Sequence, residues 1–193
     1  MGSVPRWYTF RSHYWYIIPC PSTPIPYGLG KLAAELYLKT MAAVSSFVLQ
    51  ILRFPDIYGP WPRNAQDRRL FPELLRAAFG QERFEMFADG TDLVDLLHVE
   101  DATAAIIAAL RKPVAGTWNV GSGGYTVNDI IDHISAALPV PMTISRSDRP
   151  RLSHYLDTAA FRDTFGIVPK VPIAEGIAKE IAFHRALGWT GAR

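Results

Sequence analysis

From Pro26 onward the apolar positions of this chain switch repeatedly between two spacings, and that alternation narrows the fold more than any single motif. Leu29, Leu32, Ala33 and Leu36 recur at helical spacing, which predicts a helix over about 28–43. SSFVLQILRF (45–54) is apolar and partly β-branched, which predicts a buried strand. PDIYGPWPRN (55–64), with three prolines, reads as a turn-rich loop. LFPELLRAAFG (70–80) reads as a short helix ending at a glycine, FEMF as a strand, ADGTD as a turn and VDLLHV (94–99) as a further strand. EDATAAIIAALRKP (100–113) carries acids in its first turn, bases in its last and Pro113 as a stop, in agreement with the helix dipole. TWNVGSGG runs from a strand into a glycine loop, and Thr126 with Asp129 forms a capping-box-like start for a helix to about Leu138. MTIS reads as a short strand, and helices near 158–165 and 173–187 close the chain. Strands alternating with helices place the protein in the α/β class.

Composition excludes several functions. Of 193 residues, 49% are hydrophobic and 20% charged, so a packed globular body is expected rather than disorder. The 20 basic and 18 acidic residues leave a net charge of +2 and are scattered, so nucleic acid is not an expected partner. No apolar run approaches the ~18 residues of a membrane span. Cys20 is the single cysteine, which rules out an internal disulfide, and no Cys/His cluster has metal-ligand spacing. A cytoplasmic location is the default reading. Residues 1–25 stand apart: six aromatic residues fall between Trp7 and Tyr16, with neither a signal-peptide pattern nor helical or strand periodicity. They are expected to be irregular and are a candidate for non-native sequence.

PYGLGKLAAE places Tyr27 and Lys31 four residues apart on a helix, hence on one face. An ammonium beside a phenol favours the phenolate, which suits a general acid/base near neutral pH; the same spacing also arises by chance on ordinary amphipathic helices. NVGSGG has strand, Gly121-x-Gly123 and helix in the order of a dinucleotide fingerprint, but Thr126 stands where the third glycine should be, and no second strand ending in an acid follows. A tight turn near a ligand is the better reading. His98 beside Glu100 and Asp101 suits a strand end feeding a helix cap better than a metal site, with Asp101 read as a capping residue.

Five collinear segments resemble the extended short-chain dehydrogenase/reductase family, the NAD-dependent sugar-nucleotide epimerases and dehydratases such as UDP-glucose 4-epimerase. They are PYGLGKLAAE, LRFPDIYGP (52–60), DGTDLVDLLHVEDATAAIIAAL (89–110), GTWNVGSGGYTVNDII (116–131) and YLDTAAFRDTFGIVPKVPIAEGIAKEI (155–181), together covering about 26–186. The resemblance implies the C-terminal part of a Rossmann-like fold with its small substrate-binding subdomain: an irregular segment (1–25), a remnant of the NAD-binding domain (26–60) and a mainly substrate-binding region (61–193). It implies that Tyr27 is the acid/base and that Lys31 lowers its pKa and holds the nicotinamide ribose. Phe54 and Pro55 would lie against the nicotinamide of NAD or NADP, with Asp56 and Arg146 toward a nucleotide-sugar. A homodimer through the helix of Tyr27 is also implied.

Two departures from the family pattern shape these expectations. The family opens with a strand and a glycine-rich turn that receives the cofactor pyrophosphate, and its Tyr-x-x-x-Lys comes far later than here. The chain therefore reads as lacking that glycine-rich half, so that a fragment without independent activity, or a module that pairs with a partner, is the alternative to an enzyme. Ser3, in GSV, falls where the family has the Ser/Thr partner of the tyrosine and is the third catalytic candidate. The second departure is Val94, which stands where many members carry a phosphate-binding arginine; valine offers no fork to a pyrophosphate.

Overall fold

The computed structural model describes residues 26–61, 69–80, 83–87, 89–138, 143–147 and 153–189. In chain order it contains α1 (Pro26–Ala43), β1 (Gln50–Arg53), β2 (Asp56–Tyr58), α2 (Leu70–Ala78), β3 (Phe84–Phe87), β4 (Leu93–Val94) and β5 (Leu96–His98). There follow α3 (Val99–Arg111), β6 (Gly116–Asn119), β7 (Tyr125–Thr126), α4 (Val127–Ala137), β8 (Ile144–Ser147), α5 (Ala159–Phe165) and α6 (Ile173–Ala186). β1–β6, β2–β5 and β3–β8 pair in parallel, and β4–β7 pairs antiparallel. Parallel pairs need long crossovers, and helices supply part of each one here.

Local chemistry accounts for the helix ends. The Thr126 hydroxyl accepts from the Asp129 amide at 3.0 Å, and Asp129 Oδ2 accepts from the Thr126 amide at 3.0 Å, closing the capping box at the start of α4. α5 stops at Gly166, whose φ of 67° is the left-handed conformation that ends helices.

Among the described residues two apolar cores form. The larger gathers Phe71, Leu74 and Leu75 of α2, Phe84 and Met86 of β3, Ile130 and Ile134 of α4 and Ile173, Ile177 and Ile181 of α6. The smaller holds Leu97, Ala102, Ala105, Val120 and Phe161, with Leu52, Phe54 and Trp118 packed against it. The β2–β5 pair is the wall between them. Leu96 and Tyr58 join the larger core, whereas Leu97 and Ile57 face the smaller, as the two-residue period of a strand requires. On α3, Ala102, Ala105 and Ala109 are buried while Ile106, Ile107 and Leu110 are exposed.

Several expectations need correcting. Residues 55–64 are not all loop: Asp56–Tyr58 forms β2, which pairs in parallel with β5. The run 94–99 is not one strand: Asp95, bonded to the Ser122 and Leu156 amides, separates β4 from β5, and Val99 already belongs to α3. The strand read at 142–145 lies two residues later, at Ile144–Ser147, where it pairs with β3. The stretch 45–54 is not a buried strand: β1 is confined to Gln50–Arg53, its residues are half-buried, and Phe47 and Val48 are exposed. Among the described residues β1 pairs along one edge only, with β6, and within 45–54 only Gln50–Arg53 find a strand partner.

Candidate active site

Lys31 is an exposed residue of α1. One turn further on, Glu35 receives both prongs of the Arg53 guanidinium, Nε donating to Oε1 at 2.8 Å and Nη2 to Oε2 at 2.7 Å. This is the bidentate geometry of the strongest charge-assisted pairs. Its side chains are 17% and 12% exposed, enough cover to reduce screening by water. Arg53 ends β1, so Phe54 and Pro55 leave the carboxyl end of a parallel strand, where open α/β sheets take their ligands. Both are half-buried, and Phe54 packs against the smaller core. The helix of Tyr27 and Lys31 is thereby tied to the 54–55 turn. The backbone of Tyr27 lies in α1, its side chain outside the described set, and Ser3 lies outside the described residues.

Asp56 opens β2 opposite Leu96 and lines a small cleft with Ile57, Tyr58, Arg69, Phe71 and Pro72. The next two residues are structural. Tyr58 is 2% exposed, with its ring 4.8 Å from Phe71 and 5.2 Å from His98. Its hydroxyl lies against Gly176 of α6, where a Cβ would collide with it. Burial, reinforced by Tyr125, Asp101, Glu180 and Glu175, raises the Tyr58 phenol well above its usual pKa, which excludes it as a base near neutrality. Gly59, at φ 150°, lets the chain pass against Val99 in the first turn of α3; any Cβ there would strike the valine.

The glycine loop after β6 has a different purpose from the one its pattern suggests. Asp95, 1% exposed, accepts from the Ser122 amide and hydroxyl through Oδ1, both at 2.8 Å, and from the Leu156 amide through Oδ2 at 3.1 Å. A Cβ on Gly121 would run into that carboxyl group. The space a phosphate would need is therefore filled by an acidic side chain, and the loop does not fit a cofactor pyrophosphate. Sequence reading placed the turn correctly but missed Asp95 as its organiser. A buried acid looks like an exposed one in sequence until its neighbours are known.

The HVED stretch also departs from expectation. His98, not Asp101, caps α3: its Nδ1 accepts from the Glu100 amide at 3.3 Å. Asp101, 7% exposed, instead accepts from the backbone amides of Lys170 (2.8 Å) and Val171 (3.1 Å), fastening the loop that leads into α6. Glu100 and Glu175 both contact the Lys179 ammonium at 2.9 Å. His98 is 2% exposed, and its Nε2 is buried with no hydrogen-bond partner among the described residues. Desolvation holds its pKa below the usual histidine value, against the opposing pull of Glu100.

Arg146 sits on a different strand pair, exposed on β8 in register with Met86 of β3, with its charge near Asp89. Val94 is buried in β4, opposite Tyr125. Among the described residues no group of three or more His, Cys, Asp or Glu is arranged to hold a metal ion. Nor is any helix among them long and apolar enough to cross a membrane.

The model of the NAD dependent epimerase/dehydratase family matches residues 17–121, more than half of the chain. The chain belongs to that family. UDP-glucose 4-epimerase of Mycolicibacterium smegmatis is 29% identical over 167 residues, covering 83% of this chain and 53% of the relative. dTDP-glucose 4,6-dehydratase of Streptomyces griseus is 22% identical over 171 residues, covering 85% and 51%. Among solved structures, MoeE5 in complex with UDP-glucuronic acid and NAD is 26% identical at a TM-score of 0.74, over 86% of this chain and 57% of the other. The UDP-glucose 4-epimerase of Thermotoga maritima, solved with UDP-glucose, is 24% identical at a TM-score of 0.73, over 86% and 55%, and supports the fold. The chain spans about half the length of the curated relatives it matches. Its architecture is the C-terminal part of an extended short-chain dehydrogenase/reductase, with Rossmann-like parallel pairing.

Proposed function

We propose that this chain carries the catalytic helix and the sugar side of an NAD-dependent nucleotide-sugar epimerase or dehydratase. The observation that carries the reading is the attachment of α1, with Tyr27 and Lys31 in its first turns, to the carboxyl end of β1 beside Phe54 and Pro55. These residues fit the nicotinamide end of the dinucleotide in kind: a half-buried apolar ring and a proline follow the strand end, and a lysine stands about one helical turn from a tyrosine. The pyrophosphate end is not provided by the glycine loop of residues 121–124, which Asp95 fills.

NAD, when bound, supplies a reversible acceptor for the hydride of a sugar C–H bond. Tyr27 takes the proton of the hydroxyl on that carbon and returns it when the hydride comes back. Lys31 stabilises the phenolate by its charge and holds ribose hydroxyls. Asp56 orients the sugar as a hydrogen-bond acceptor, where a neutral amide could also donate. With Val94 unable to grip phosphate, Arg146 is the remaining candidate for the nucleotide diphosphate.

A second reading has its own observation. Leu36, Tyr37 and Val44 of the α1 region are 55%, 66% and 77% exposed, and Leu110 of α3 is 75% exposed. Apolar surface of that extent on two helices fits contact with a further α/β body or a second copy of the chain through α1. In this reading activity requires that companion.

Isothermal titration of NAD into the purified chain, with a Tyr27→Phe, Lys31→Ala variant beside it, separates the two. Micromolar binding that weakens in the variant supports a cofactor site within this chain. Absence of binding by a folded chain assigns the residues to the sugar side of a composite enzyme.

A further inference from the structure

We propose that the Glu35–Arg53 fork is a positioning device that holds α1, and with it Lys31, against the turn of Phe54 and Pro55. The proposal rests on the reading of α1 as the catalytic helix. Among the described residues no other helix or strand makes an extensive contact with α1. Gly28 is its only fully buried residue among those with described side chains, Leu32, Glu35 and Ala42 are half-buried, and the rest are exposed. Among the described residues neither apolar core contains an α1 side chain. A helix that is not packed into a core can slide or roll on its sheet at small cost.

The fork opposes both motions. Two parallel hydrogen bonds at 2.8 and 2.7 Å fix the carboxylate in the plane of the guanidinium, so rolling α1 breaks at least one of them. Arg53 is covalently adjacent to Phe54, and Glu35 is one turn from Lys31. A slip by one turn would therefore carry Lys31 about 5.4 Å along the sheet. Lys39 also approaches Glu35, at 3.8 Å, but it is on the same helix and cannot anchor it.

The test is amide hydrogen exchange by mass spectrometry on the full chain, comparing the parent with Glu35→Gln, Arg53→Gln and the double variant. NAD titrations and melting curves are run on the same samples. Each single variant should speed exchange about tenfold in peptides from 28–43, the effect of losing one strong bidentate pair, and leave peptides from 127–137 unchanged. The double variant should be no worse than either single, because both remove the same interaction. Where the parent binds NAD, the singles should weaken that binding without lowering the melting temperature of the body. Unchanged exchange in 28–43, exchange raised equally throughout, or additive single effects would each overturn the proposal. NAD affinity unchanged in variants with a loosened α1 would overturn the positioning role. A parent that binds no NAD rejects the cofactor reading instead, and the exchange data then judge the fork by themselves.

Discussion

The α1–β1 arm and the α2–α4–α6 body are built on opposite principles. In the body, Leu74, Ile130, Ile134 and Ile177 are fully buried, and apolar contact holds the three helices together. In the arm, large apolar side chains face outward while a charged pair makes the attachment. The body is stable through its own packing. The arm is shaped for surfaces on more than one side: a helix apolar around most of its circumference is normally enclosed, and the 18 residues of α1 carry charge only at Lys31, Glu35 and Lys39. The catalytic role proposed for α1 would call for this character, because such a helix would have to touch cofactor, substrate region and neighbouring layer at once.

The sharpest way to break the contrast is truncation. Ile177→Ala removes a fully buried side chain of α6 and should cost about 3 kcal/mol. Leu36→Ala in α1 should stay within about 0.5 kcal/mol in the isolated chain. Urea unfolding of both variants measures the gap, and equal losses would mean that α1 is buried in solution. Next comes Asp95→Ala, which leaves the amides of Ser122 and Leu156 without their acceptor and should cost about 2 kcal/mol. Exchange should then rise in both 121–124 and 154–157, far from α1; a change in one segment alone would show that Asp95 does not join them. Thr126→Ala opens the capping box of α4 and should cost about 1 kcal/mol, read from the same unfolding curves.

The smallest effect concerns pH. Burial depresses the His98 pKa, so the unfolded chain binds the proton more readily than the folded one. Stability from neutral His98 is therefore full above its unfolded value of about 6.5 and declines as pH falls through that value toward the lower folded pKa. His98→Asn keeps a capping acceptor and removes the titration. Its melting temperature should fall less than the parent's between neutral and mildly acidic pH, and parallel slopes would place the acid sensitivity elsewhere. Glu100, Asp101, Glu175, Lys179 and Tyr58 surround this ring, and its two acidic neighbours on α3 partly oppose the shift.

Much of the fold was legible because periodicity and end signals are local. The helices beginning at Val99, Val127 and Ile173, the capping box and the short strand at 84–87 lie where apolar spacing and cap residues place them, and the strand read at 142–145 is found two residues later, at 144–147. The exceptions, 45–54, 55–64 and 94–99, failed for reasons outside each segment. An apolar run shows that a strand wants cover, but whether cover arrives depends on what lies beside it.

The candidate site divides the same way. The order of residues alone identified the Tyr27–Lys31 helix, the turn of Phe54 and Pro55 and the family to which they belong, because these depend on spacing along one chain. The tertiary structure alone decided that Arg53 grips Glu35, that Asp95 fills the glycine loop, that Asp101 reaches the run before α6 and that His98 caps α3. Each of these joins a charged or polar group to a partner in another segment or to a backbone amide. Burying such a group costs free energy unless hydrogen bonds offset it, and folding, not composition, brings those partners within reach.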